Sequence, residues 1–128
     1  MYLTMELCKK HTLDYQLRML NKTDSITQER ITLLDWFLQL CDAVRFIHGR
    51  GYSHRDIKPG NIFFDQNDSI KLGDFGLATE SSSQTQTTAV GNRIYSSPEQ
   101  LEEKKYNQKT DIFPLGKQVF DFDTNAYF

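Results

Sequence analysis

No stretch of the chain is apolar over the ~18 residues that a membrane-spanning helix needs, and the N-terminus lacks a basic-then-apolar leader pattern. The sequence therefore reads as a soluble chain with no membrane partner. Charge of one sign is missing too. Fifteen basic residues stand against 17 acidic ones, a net charge of −2, so no strong field draws the protein to nucleic acid or an anionic surface. Cysteine is scarce: Cys8 and Cys41 match no metal-ligand spacing and no disulfide framework, which predicts a reducing setting, cytoplasmic or nuclear. No His/Cys cluster offers ligands to a softer metal. The 128 residues supply one domain at most, able to bury roughly two thirds of the surface of its unfolded chain.

What is present is concentrated in His54-Arg55-Asp56-Ile57-Lys58-Pro59-Gly60-Asn61 and, a short hairpin later, Asp74-Phe75-Gly76. Phosphoryl transfer needs a carboxylate to position a hydroxyl nucleophile, Mg²⁺ to bridge phosphate oxygens, and a cation to balance charge on the moving group. Asp56 suits the first role and Lys58 the third. Mg²⁺ takes hard oxygen ligands, often one or two carboxylates with phosphate and water, and Asp74 with the amide oxygen of Asn61 supplies such a set. Either motif alone would be an ordinary surface turn. Their joint spacing, with a strand pair between them, points to chemistry. His54 reads as a packed residue supporting the loop.

Taken in order, residues 2–7 alternate weakly and are rich in strand formers, which predicts a strand. Residues 9–21 predict a polar turn and a short helix, capped at Thr12, with Leu13, Leu17 and Leu20 on one side. Ser25-Ile26-Thr27-Gln28 has the form of a capping box opening a long helix. Ile31, Leu34, Phe37, Leu38, Cys41, Val44 and Ile47 recur at three- and four-residue steps and predict its buried stripe, ended by Gly49 or Gly51. On that stripe Cys41 is expected to be a buried, unreactive thiol, and His48 at the helix end a capping cation or a solvated side chain. Residues 62–65 and 69–72 flank the turn 66–68 as a β-hairpin. It sets Asn61 at one strand's start and Asp74 just beyond the other's end, so that both can reach one metal. The polar run 79–88 cannot build a core and predicts a loop.

The stretch His54–Asn61 with Asp74-Phe75-Gly76 resembles the eukaryotic protein kinases, whose loops read H-R-D-x-x-x-x-N and D-F-G. The resemblance implies an α+β, protein-kinase-like fold: residues 1–10 as the last N-lobe strand and hinge, 11–116 as the first part of the mainly helical C-lobe, and 117–128 as a divergent tail. It implies ATP and Mg²⁺ as cofactors and a protein substrate. Asp56 would be the catalytic base, Lys58 the contact to the transferred phosphate, Asn61 and Asp74 the Mg²⁺ ligands. Met5 would be the gatekeeper beside the adenine pocket, with the backbone of Glu6 and Cys8 pairing with the adenine edge. Lysine two positions after Asp56 resembles the serine/threonine branch. The run 79–88 would be the activation segment, where a phosphate on Thr87 or Thr88 could pair with Arg55.

Asn61-Ile62-Phe63-Phe64, Met5-Glu6-Leu7-Cys8 with Thr12-Leu13, and Val90 through Leu101 are similar to the translation-initiation-factor-2 α-subunit kinases, the stress-responsive group that controls translation. Their α-subunit substrate is the implied partner. Asp111-Ile112-Phe113 resembles that group's central-helix start. Asn92 stands where those kinases carry threonine, and Pro114, Lys117, Gln118, Asp121 and Asp123 are expected to interrupt a helix that is apolar in the family, with Lys117 at a usually buried position. The glycine-rich loop, the V-A-I-K lysine and its partner glutamate have no counterpart in these residues. Two function classes follow: a serine/threonine kinase, or a truncated, catalytically inactive kinase-derived module that binds a partner such as a full-length kinase. On the missing elements, the 128 residues by themselves are expected to transfer no phosphate.

Overall fold

The structure, a computed structural model, describes residues 4–20, 26–80, 94–102 and 107–124. The capping box at Ser25 and the candidate phosphoacceptors Thr87 and Thr88, together with Asn92, lie outside the described residues. Helix α1 (Leu13–Leu20) begins where Thr12 ends: the Thr12 carbonyl accepts the Gln16 N–H at 3.2 Å, the position a helix cap occupies. Leu13 and Leu17, four apart, are buried on one face, and Asp14 pairs with Arg18 on the other at 3.0 Å.

Helix α2 (Ile26–His48) is the longest element. Its packed face consists of Leu33, Trp36, Phe37, Leu40, Cys41 and Val44. The stripe expected from the sequence is corrected here, because Ile31, Leu34 and Leu38 are exposed at 58%, 59% and 55%. At about 100° per residue they lie on the opposite side from Leu40 and Val44. Apolar residues cover more than one face of α2, and only one of those faces meets the hairpin. Burial raises the Cys41 thiol above its ordinary value, with Asp42 adding to the effect, so it is a poor nucleophile. The helix stops as Gly51 turns to φ +80° and its N–H bonds the His48 carbonyl at 3.0 Å.

Among the described residues, four short strands form two antiparallel pairs: β1 (Tyr52–Ser53) with β4 (Thr79–Glu80), and β2 (Ile62–Phe64) with β3 (Ile70–Leu72). The second pair is the expected hairpin, in register Ile62↔Leu72 and Phe64↔Ile70. Asp65 builds its turn, accepting the N–H groups of Asn67 and Ser69 at 2.8 and 2.9 Å. Those bonds, the Ser69 bond foremost, lower the pKa of Asp65. Residues 4–7 form no strand. No described neighbour offers them a ladder, and Met5 and Leu7 are exposed.

After α3 (Pro98–Leu101), a 3₁₀ turn over Gln108–Asp111 leads into α4 (Ile112–Thr124). Pro114 sits in the first turn of α4, where no intrahelical N–H is required of it. The polar residues do not interrupt α4, which runs on through Thr124. Gln118 is the buried polar side chain there, and Lys117 is half-buried.

The core gathers Leu13, Leu17, Leu40, Val44, Ile57, Ile62, Phe64, Ile70 and Leu115, with Trp36 edge-on to Phe64 at 4.9 Å between ring centroids. Phe64→Ala is expected to lower unfolding free energy by about 3–5 kcal/mol, and Leu34→Ala by less than about 0.5 kcal/mol. Urea unfolding followed by Trp36 fluorescence reads both, and equal losses would contradict the assignment of the α2 faces.

Candidate active site

Residues 54–61 form a loop whose chemistry-bearing side chains bond to one another. Asp56 Oδ2 accepts from Lys58 Nζ at 2.7 Å and from Asn61 Nδ2 at 2.8 Å. The same Nδ2 donates to the Asp56 carbonyl at 2.9 Å, so Asn61 spans the loop and closes it. Ile57 inserts into the core, anchoring the loop between Asp56 and Lys58.

The hairpin brings the second motif alongside. Just past the paired strands, the Gly73 N–H donates to the Asn61 carbonyl at 3.0 Å, which fixes the start of the Asp74 loop against the end of the Asp56 loop. A Cβ at residue 73 would stand 2.8 Å from the Phe63 ring, so any larger residue would have to displace that ring. Asp74 adopts φ 60°, and among the described residues its carboxylate accepts a single long 3.4 Å bond, from Gly76 N–H. It is exposed. Arg55, at φ 69°, is the loop's other left-handed residue; both are strained conformations for residues other than glycine.

His54 is fully buried, and its Nε2 meets the Gly73 carbonyl at 3.0 Å while Nδ1 meets the Asp56 N–H at 3.3 Å. A carbonyl only accepts and an N–H only donates, so the ring is the neutral Nε2–H tautomer. Phe75 packs edge-on against it at 4.8 Å. The histidine thus supports both loops, as its packed reading expected.

A cavity of about 710 Å³ is lined by Met5, Glu6 and Cys8 on one side and by Phe63, Lys71, Leu72, Gly73, Asp74 and Phe75 on the other. Residues 6–9 are pinned to the hairpin. Lys9 N–H donates to the Phe64 carbonyl at 2.7 Å, Gln66 Nε2 to the Leu7 carbonyl at 3.3 Å, and Lys71 Nζ pairs with Glu6 and Asp65 at 3.4 and 3.5 Å. The Glu6 bond, more than any other contact, raises the pKa of Lys71. Asp56, Lys58 and Asn61 thus form one cluster; Met5, Glu6, Cys8 and Asp74 share one cavity; and the bond from Gly73 to Asn61 joins the two. The described residues contain no group of three His, Cys, Asp or Glu that would hold a metal. The oxygens of Asp74 and Asn61 fit Mg²⁺ nonetheless, because that ion asks for few protein ligands, and Nδ2 of Asn61 is committed to Asp56 while its oxygen is not.

Compared with known proteins, residues 1–126 match the protein kinase domain family. The chain belongs to the protein kinase family. Eukaryotic translation initiation factor 2-alpha kinase 3 of Rattus norvegicus is 39% identical over 136 residues, covering 94% of this chain and 12% of the relative. Interferon-induced, double-stranded RNA-activated protein kinase of Mus musculus is 42% identical over 118 residues, 91% of this chain and 22% of the relative. The eIF-2-alpha kinase GCN2 of Schizosaccharomyces pombe is 38% identical over 139 residues, 94% of this chain and 8% of the relative. The chain therefore spans less than a quarter of each of these relatives.

The support of this kinase loop comes from Asp111, His48 and Gln108, in roles that no local pattern of residues points to. Asp111, fully buried, accepts the backbone N–H of His54 at 2.9 Å and of Arg55 at 2.7 Å, and it bonds His48 Nε2 at 2.7 Å. His48 is therefore neither solvated nor a simple cap: a buried carboxylate needs donors, and the end of α2 delivers one. Gln108 Nε2 reaches the carbonyls of His48 at 2.8 Å and Tyr52 at 3.4 Å. The D-I-F motif marked Asp111, but only the fold reveals what it holds.

Burial keeps the His54 pKa below the ordinary imidazole value, and the Gly73 bond with the nearby carboxylates offsets this only in part. The unfolded chain thus takes up its proton first on acidification. His54 contributes its full stability above about pH 6.5 and loses it as pH falls from there toward the folded-state value. NMR titration of the His54 Cε1 proton is expected to give a midpoint below 6.5, and one at or above that value would contradict the buried neutral tautomer.

Proposed function

We propose that the chain carries serine/threonine phosphoryl-transfer chemistry of the initiation-factor-2 α kinase group, acting on a protein hydroxyl and contributing to translation control under stress in the cytoplasm or nucleus. One observation carries the reading: Asp56, Lys58 and Asn61 bond to one another at 2.7–2.9 Å in a loop tied to Gly73 beside Asp74.

Asp56 Oδ2 is occupied by Lys58 and Asn61, which orients the carboxylate and leaves Oδ1 to accept the proton of a serine or threonine hydroxyl. The hydroxyl oxygen attacks the γ-phosphorus of ATP as the bond to the bridging oxygen breaks, and the proton passes to Asp56. Lys58, now 2.7 Å from Asp56 Oδ2, would turn to the moving phosphoryl group. Mg²⁺, when bound by Asp74 and Asn61, supplies charge neutralisation on the phosphates. Glu6 and Cys8 line the cavity, where their backbone would pair with an adenine edge. The names of the relatives motivate the α subunit of initiation factor 2 as substrate.

A second reading, a partner-binding module without turnover, draws on the same cavity. Among its lining residues Lys71 is the one cation, and it is engaged by Glu6 and Asp65. The two readings separate in a chimera in which residues 2–116 replace the matching segment of the rat relative's kinase domain. Phosphorylation of a serine or threonine substrate is expected, with Asp56→Asn lowering kcat by on the order of 10²–10⁴ at little cost to the KM for ATP. Nucleotide binding without transfer would favour the module. In the same chimera, a phosphate on Thr87 or Thr88 is expected to pair with Arg55. Phosphopeptide mapping that finds neither position labelled counts against that regulation.

A further inference from the structure

The peptide joining Arg55 to Asp56 is held at both of its polar atoms. Its N–H donates to His54 Nδ1 at 3.3 Å, and its carbonyl accepts from Gln100 Nε2 at 3.0 Å. That plane follows a left-handed residue, Arg55 at φ 69°, so local backbone preference opposes it and outside contacts must hold it. Asp111 supplies one contact through the Arg55 N–H at 2.7 Å, and Gln100 supplies the other from a different part of the chain. Gln100 is buried at 8% exposure, and its Oε1 simultaneously accepts the Ser97 N–H at 2.9 Å. One side-chain amide thus uses its donor on the Asp56 loop and its acceptor on the first turn of α3.

We propose that Gln100 is a positioning residue for Asp56 and couples the α3 turn to the loop that carries it. The inference rests on the reading of Asp56 as the base. The orientation of the 55–56 peptide sets the direction in which the Asp56 side chain leaves the backbone, so losing the Gln100 bond frees that carboxylate to rotate away from Lys58 and Asn61. Coupling of this kind runs both ways: displacing Ser97 to Leu101 removes the donor from Arg55, and loosening the loop removes one anchor of a four-residue helix. No other side chain of this length offers a donor and an acceptor together. Glutamate keeps the acceptor alone, and methionine keeps the shape with neither.

The test is site-resolved amide hydrogen exchange on the full 128-residue chain. In Gln100→Glu the Ser97 amide is expected to stay protected while the Asp56 amide loses protection by about tenfold, the effect of one hydrogen bond. In Gln100→Met both are expected to lose protection. The hairpin amides of Phe64 and Ile70 serve as the reference for global opening. Unchanged protection at Asp56 in Gln100→Glu, or an equal loss at Asp56 and in the hairpin, overturns the proposal, because either result makes Gln100 a packing residue only. Exchange is read without turnover, so this outcome is independent of whether Asp56 is the base, which Asp56→Asn in the chimera decides separately.

Discussion

The buried carboxylate of Asp111 is the point on which the site's geometry depends. Burying an ion is costly unless its oxygens are met by donors. Here three arrive from two elements: the end of α2 sends the His48 ring, and the loop sends the N–H groups of His54 and Arg55. Each donor would itself be left unsatisfied without Asp111, at roughly 1–3 kcal/mol apiece. The arrangement is mutually enforcing. A 3₁₀ turn at the start of α4, the C-terminus of the longest helix and the backbone before Asp56 are locked in one relation by a single side chain.

Around that lock, glutamines act as substitutes for peptide groups. Gln108 caps the carbonyls of His48 and Tyr52, Gln100 holds the Arg55 carbonyl, and Gln39 Oε1 on α2 accepts the Ile70 N–H of the hairpin at 2.8 Å. Loops cannot satisfy their own backbone as helices and sheets do, so buried loops need such partners. Of the three left-handed non-glycine residues among the described residues, Asp68 sits in the hairpin turn, while Arg55 and Asp74 flank the stretches braced by the Gln100 and Asn61–Gly73 bonds. Strain is tolerated where surrounding bonds overdetermine the conformation.

How much of this was legible in the sequence differs by element. The Asp56 loop, the Asp74 loop and the hairpin between them were readable because they rest on local rules: fixed spacing, turn residues and period-two alternation around residues 66–68. The short helix was readable from Leu13 and Leu17. The burial of α2 was legible only in part: Phe37, Cys41 and Val44 pack as expected, but Ile31, Leu34 and Leu38 satisfy helical spacing as well as Leu33 and Leu40 do, and only tertiary contact selects between faces. Of the strand expected at residues 2–7, the described part, residues 4–7, does not form for the converse reason: strand propensity without a partner gains no ladder bonds. Gln118 shows a third limit, because hydropathy predicts exposure for a side chain that the packing of α4 buries completely. Asp111, Gln100 and Gln108 act on backbone atoms some 45 to 60 residues away, which no local pattern encodes.

The two carboxylates of the site are equipped differently, and that difference bears on what each can do. Asp56 is held inside the loop, with one oxygen committed to an ammonium and an amide, so its direction is set without any external cation. Asp74 is exposed, lines the cavity and receives one long bond from its own turn. An acceptor that must face a substrate hydroxyl benefits from the first environment, since its direction is fixed before substrate arrives. A ligand that must exchange water for a divalent ion benefits from the second, since little has to be broken to free its lone pairs. The hairpin, by joining Asn61 to Gly73, keeps these unlike environments adjacent while leaving each its own hydrogen-bonding pattern.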